Sequence, residues 1–236
     1  MKRGLSVFML VIVFCSLLYG VHYLVYFFLK EQGALNVKQI IITNQNYVNA
    51  ADVAAVSGVR YGELIFNFDL EAVAANVAKI RMVDYALVER IVPDTIKITV
   101  YERKPVAVIS DGKTSVICDR NGQIISAGTS PDLPTISLDF PLLIVKETVI
   151  GDEFVIAILR NLDAFERKNE ISRVYIKAKE GVYFILKGLS TLFYIGLKVP
   201  DADYLKRLVL TGDKIKKEKL SIKYVDIDKA SGIGFE

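Results

Sequence analysis

Apolar positions change their period several times along the chain, and each change marks an element. From Leu5 to Leu29, twenty-five residues pass without an Asp, Glu, Lys or Arg. Wound as a helix, that stretch is about 37 Å long at ~1.5 Å per residue, enough to cross a hydrocarbon layer of roughly 30 Å. Val37 to Thr43 is a short Ile-rich run that predicts a buried strand, closed by Asn44-Gln45-Asn46. Asn49 fits the N-cap of a short helix, Ala50 to Val56, which Gly58 can end. Asp69 can cap a second helix, in which Leu70, Val73, Val77 and Ile80 recur at helical spacing. Val83 to Ile91 is strand-like, Val92-Pro93-Asp94 is a turn, and Ile96, Ile98 and Val100 then alternate with Lys97, Thr99 and Tyr101. The order β-α-α-β-β over residues 35–103 buries these stripes most economically as two helices on one face of a three-stranded sheet.

A second unit, residues 104–236, follows. Val106 to Ser110 and Ser115 to Asp119 are short strands, with hairpin signals at Asp111-Gly112 and Asn121-Gly122. Pro131, Pro134 and Pro141 interrupt the pattern. Asp152 caps a helix running to about Lys168, with Phe154, Ile158, Leu162 and Phe165 along one face. Strands are predicted near Ile171–Ala178, Gly181–Leu186 and Thr191–Val199. Asp201 then caps a helix containing Tyr204, Leu205 and Leu208, and the basic run Lys214 to Lys219 reads as a solvated loop after it. A strand from Ser221 to Asp228 and a short tail, Lys229 to Glu236, complete the sequence. The fold class is α+β: an N-terminal transmembrane helix, a small β-α-α-β-β domain, and a larger, mainly antiparallel β domain with flanking helices.

The N-terminal span has a competing reading as a cleaved signal peptide. Such a peptide has an apolar region of only about 7–15 residues before a small-x-small site. Nothing like Ala-x-Ala follows here, and Val13-Phe14 before Cys15 makes a poor lipoprotein box, so residues 5–29 are read as an anchor. Lys2 and Arg3 precede the span, whereas Lys30 is offset by Glu31, which places residues 1–4 in the cytoplasm. Tyr19, Tyr23 and Tyr26 to Phe28 suit the far interface. The remainder is then periplasmic, tethered to the cytoplasmic (inner) membrane by a single pass.

Composition narrows the chemistry. His22, inside the span, is the only histidine, and Cys118 is the only cysteine outside it. The outer region therefore has neither an internal disulfide, nor a Cys/His zinc site, nor a His-based triad. No Gly-x-Ser-x-Gly, Walker loop, Ser-x-x-Lys pair or metal-binding carboxylate cluster occurs. Asp226 and Asp228 share a strand face, but edge carboxylates of this kind are solvated or salt-bridged. No enzymatic activity, metal or cofactor is expected. Removing Lys2 and Arg3 from the formal charge of +3 leaves +1, with no arginine-rich stripe for nucleic acid.

The remaining signal is a pattern of short motifs. Val37 to Ile42 with Val59 to Asp69 resembles a POTRA domain. Val83-Asp84-Tyr85-Ala86-Leu87-Val88-Glu89-Arg90-Ile91-Val92-Pro93-Asp94-Thr95-Ile96-Lys97-Ile98 is similar to the V-x-x-A-x-V-x-R-x-x-P-x-T-L-x-I run of the FtsQ/DivIB cell-division proteins. Glu102-Arg103-Lys104-Pro105-Val106-Ala107 resembles that family's E-R-x-P-V-A junction, and Asp119 to Gly122 its D-x-x-G hairpin. Tyr224 to Asp228 and Ser231 to Phe235 resemble its Y-V-D-L-R strand and following S-G…G-W. The sequence departs from the pattern in four ways. Asn44 replaces a Gly, Asp228 an Arg and Phe235 a Trp, and two residues are missing between Gly232 and Phe235.

The resemblance implies a non-enzymatic scaffold of the division machinery that binds the membrane-anchored coiled-coil pair FtsB and FtsL. An edge strand that accepts an extended partner segment is the physical means. It points to Tyr224, Val225, Asp226, Ile227, Lys229, Ser231, Gly232 and Phe235 as the partner-binding residues. Phe235 either anchors the partner or covers the core of its own domain. An envelope assembly or transport factor is the alternative for a POTRA-containing chain, although the many-stranded barrel of such factors has no counterpart in this sequence.

Overall fold

Local sequence accounts for most element boundaries in the computed structural model, which describes residues 2–227, with backbone alone for residues 2–7 and 29. Helix α1 (Lys2–Glu31) is the one helix among the described residues long and apolar enough to cross a membrane, with a mean hydropathy of 2.2 across Phe8–Phe28. The chain forms two compact units, Met1–Glu102 and Arg103–Glu236.

In the first unit, β1 (Gln39–Thr43) is followed by α2 (Ala50–Ser57), a single 3-10 turn (Ile65–Asn67), α3 (Leu70–Val77), β2 (Val83–Ile91) and β3 (Thr95–Glu102). The side chains of Asn49 and Asp69 accept backbone N–H groups in the first turns of α2 and α3. Gly58, at φ 78°, closes α2 in the left-handed region. The sheet order is β1-β3-β2, with β1 parallel to β3 and β2 antiparallel to it. Val53, Ile65, Val73, Val77, Ile96, Ile98 and Val100 form its core. Asn44 adopts φ 66° and donates from Nδ2 to the Val100 carbonyl at 2.8 Å, so its amide holds the left-handed turn that ends β1.

The second unit contains strands β4 (Ala107–Ser110), β5 (Ser115–Cys118), β6 (Ile124–Ala127), β7 (Thr135–Leu138), β8 (Ile144–Val145) and β9 (Val149–Ile150). After α4 (Glu153–Ala164) come β10 (Ile171–Lys177), β11 (Gly181–Leu186), β12 (Leu192–Tyr194), α5 (Ala202–Glu218) and β13 (Tyr224–Asp226). β8 and β9 form a separate ribbon, and the other eight strands make one sheet in the order β13-β12-β11-β10-β7-β4-β5-β6. Four of its pairings are antiparallel, while β4–β7, β7–β10 and β12–β13 are parallel. Buried faces of α4 and α5 join Val174, Ile176, Val182, Phe184, Phe193 and Val225 in a single core. At Gly212, α5 approaches β11 so closely that an added Cβ would collide with the Leu186 side chain.

Several elements depart from the sequence reading. The proline-flanked stretch contains a central strand, β7, whose Ile136 is fully buried. Lys214 to Glu218 are not a loop but the end of α5. Ile215 continues the buried stripe there, and Lys216 and Lys217 sit favourably at the negative end of the helix dipole. α4 stops at Ala164 rather than near Lys168, because Phe165 turns extended and Lys168 reaches back to Asp163 at 2.7 Å. β12 is only three residues long, since Gly196 at φ 80° breaks it, and β13 is likewise shorter than Ser221–Asp228.

Candidate partner-binding edge

Strand β13 owes its position to a few polar contacts. The Thr191 hydroxyl, 2% exposed, donates to the Ile222 carbonyl at 2.7 Å. Leu192 N–H donates to Lys223 O at 2.9 Å and Ile227 N–H to Tyr194 O at 2.8 Å. Together these seat β13 on β12 in parallel register, with Leu192 opposite Tyr224, Phe193 opposite Val225 and Tyr194 opposite Asp226. Among the described residues, β13 is the outermost strand of the sheet at this end.

Period-two alternation divides the two faces. Val225 and Ile227 point into the core, so their part in any pairing comes from the backbone. Tyr224 and Asp226 are half-buried on the opposite face. Register carries that face back across the sheet as a tyrosine row. Tyr175 lies opposite Tyr183, and Tyr183 opposite Tyr194 at 5.1 Å between ring centroids. Tyr194 stacks on Tyr224 at 6.2 Å. Beside the row is an open hollow of about 380 Å³ lined by Tyr175, Lys177, Tyr183, Ile185, Ser190 and Leu192.

Charge in the row is pinned at Glu180. Lys177 donates to Glu180 at 2.7 Å, and this bond raises the lysine pKa and lowers that of the carboxylate. The Tyr183 hydroxyl donates to the same oxygen at 3.2 Å. Desolvation first, then that carboxylate, push its pKa up, so it stays a neutral donor. Tyr194 Oη donates to the Glu180 carbonyl at 2.9 Å. The arrangement presents apolar rings with wet polar tips, a surface suited to protein contact. Of the residues proposed from sequence, Tyr224, Val225, Asp226 and Ile227 come together here. Lys229, Ser231, Gly232 and Phe235 lie outside the described residues, as does Asp228. The preceding tyrosines went unnoticed in the sequence because only the register aligns them.

The other motif residues have structural roles. Glu102 Oε1 accepts the amides of Asn46, Tyr47 and Val48 at 2.8–2.9 Å. Desolvation would raise its pKa, but the three donors outweigh it and the net shift is downward. Arg103 Nη1 meets Asp119 Oδ2 at 2.7 Å, with the two side chains only 14% and 6% exposed. Asp119 Oδ1 holds the hairpin amides of Asn121 and Gln123 at 2.8 and 2.9 Å. The Glu102 and Arg103 side chains are thus each anchored within their own unit. Arg90 donates to the carbonyls of Ile65, at 3.0 Å, and of Phe68. Among the described residues, no group of three or more His, Cys, Asp or Glu is placed to hold a metal.

Comparison with known proteins identifies these motifs. The family model described as "POTRA domain, FtsQ-type" matches residues 35–103. A curated protein of Geotalea daltonii named cell division protein FtsQ is 24% identical over 212 residues, covering 83% of this chain and 74% of its own length. Residues 35–103 are thus a POTRA domain of the FtsQ type, and most of the chain is similar to FtsQ cell-division proteins. FtsQ of Mycobacteroides abscessus is 27% identical over 140 residues, and FtsQ of Mycobacterium leprae 33% over 110. These two matches cover 59% and 46% of this chain, and it spans only 44% and 32% of those two relatives. Together with that similarity, the apolar helix α1 fits a single-pass inner-membrane protein.

Proposed function

We propose that the chain is a non-enzymatic scaffold of the bacterial division machinery, oriented with residues 1–4 in the cytoplasm and the rest in the periplasm. It binds FtsB- and FtsL-like coiled-coil partners at the β12–β13 end of its large sheet. The observation that carries this reading is the continuous row Tyr175–Tyr183–Tyr194–Tyr224, which leads to the outermost described strand. An extended partner segment laid alongside that end gains backbone pairing and aromatic contact together, with Phe235 of the following tail as a further candidate anchor.

The test uses the periplasmic region and a partner's periplasmic segment. Leu192→Asp and Tyr224→Ala are each expected to weaken binding by about tenfold or more, some 1.4 kcal/mol, with the melting temperature nearly unchanged. Phe235→Ala distinguishes its two possible roles: lost affinity marks an anchor, and a lowered melting temperature a core residue. Unchanged affinity in all three variants would move the recognition surface elsewhere, with the POTRA domain next.

A further inference from the structure

The POTRA domain joins α1 without slack. Gln32 N–H donates to Phe28 O, Gly33 to Lys30 O and Asn36 to Gly33 O, so the chain leaves the helix through hydrogen-bonded turns. The next residues are tied at once to two loops of the domain. Ile65 N–H donates to Leu35 O at 2.9 Å, Gly62 N–H to Val37 O and Val37 N–H to Glu63 O at 2.8 Å, and Lys38 N–H to Asp94 O at 2.8 Å. The loop around Tyr61–Phe68 and the Ile91–Asp94 turn therefore lie at the end of the domain nearest the helix. The Phe66 ring is 6.4 Å from that of Tyr26, within the last turn of the apolar stretch Phe8–Phe28.

That end is apolar where solvent would be expected. Tyr61 is 65% exposed, Phe66 46%, Ile91 45% and Val92 59%. Phe66 is also held outward: the Arg90 guanidinium binds the carbonyls on either side of its turn and lies 6.0 Å from the ring centroid. Lys38 and Arg60 flank the patch with long, largely exposed side chains, the first 3.8 Å from Asp94 and the second paired with Glu63 at 3.0 Å. Apolar and aromatic tips beside snorkelling cations are what the headgroup layer accommodates.

We propose that these two loops rest on the bilayer crossed by α1, with Tyr61, Phe66, Ile91 and Val92 in its headgroup region. The domain then stands on the membrane with β3 leading away from it. Its far end, at Glu102, is about 23 Å higher at ~3.3 Å per residue. The proposal rests on α1 being a membrane span.

The absence of tryptophan from the chain gives a direct test. The full chain is reconstituted into phosphatidylcholine–phosphatidylglycerol vesicles as Tyr61→Trp, Phe66→Trp or, at the far end, Tyr47→Trp. Shallow nitroxide-labelled lipid should quench the first two several-fold more strongly than the third, and aqueous acrylamide should show the reverse order. Equal quenching of all three by acrylamide, with no lipid effect and the chain retained after an alkaline wash, overturns the proposal and leaves the span intact. Release of the chain by that wash overturns the span reading and the proposal with it.

Discussion

The Arg103–Asp119 pair offers the sharpest quantitative test of how the second unit is held. Asp119→Ala removes a carboxylate that meets a guanidinium at 2.7 Å and caps two hairpin amides. Breaking a buried pair from one side costs about 3–5 kcal/mol. Asp119→Asn keeps an oxygen for the amides and loses only the charge, for which about 1.5–3 kcal/mol is expected. With a urea m-value of ~2 kcal/mol/M, the alanine variant should lower the unfolding midpoint by about 1.5–2.5 M. Cys118 supplies the assay. It is fully buried, and desolvation followed by the adjacent Asp119 charge pushes its thiol up to about 12, so it reacts only on unfolding. In a chain starting at Glu31 it is the only cysteine, so labelling reports the second unit alone. Because Asp119 itself contributes to that pKa, the labelled fraction in a fixed pulse is read rather than the rate. A cycle with Arg103→Met should return a coupling of about 1–3 kcal/mol. A midpoint shift below about 0.5 M for Asp119→Ala, with no coupling in the cycle, would refute the reasoning.

Three further outcomes are expected. The chain from Glu31 to Glu236 should be soluble and folded without detergent, whereas the full chain needs it; sedimentation of the shorter chain with membranes would contradict this. Asp111 accepts the amides of Leu142, Thr114 and Lys113, and these lower its pKa from 3.8 to about 2. A carboxylate depressed on folding adds stability that is fully present above its unfolded pKa and lost as pH falls through the folded one. Asp111→Asn should therefore flatten the fall of the urea midpoint between about pH 4 and pH 2. Gly181 sits at φ 128°, and an added Cβ would lie 2.8 Å from the Gly196 backbone. Gly181→Ala should cost at least about 2 kcal/mol in the thiol-labelling assay, since neither the dihedral nor the contact can relax cheaply.

What the sequence made legible was local. The caps at Asn49 and Asp69, the left-handed turn at Gly58 and the alternation of Ile96, Ile98 and Val100 each need only neighbours within a few positions. β7 escaped because Thr135–Leu138 is too short for alternation to stand out, and its flanking prolines look like loop signals. At the end of α5 the charges drew attention away from Ile215, which extends the stripe of Leu205, Leu208 and Gly212 by one more turn. Arg103 and Asp119 meet across 16 residues, and the tyrosine row spans four strands, so neither has a local signature. Tyr224 and Asp226 were named from a motif; that their outward face continues into Tyr194 and Tyr183 depends on register, which periodicity does not encode.

The order of strands in the large sheet bears on when the binding edge comes into being. Counted from β6, the sheet runs β5, β4, β7, β10, β11, β12, β13. After the first meander, each strand joins later in the chain than its neighbour. In the orientation proposed above, the N-terminus stays behind and the outer region emerges from its α1-proximal end, so these strands can be added one at a time to a growing border. β13 needs β12 as its template, and β12 needs β11. A truncated or stalled chain would therefore carry the POTRA domain and much of the sheet while lacking the surface proposed for partners.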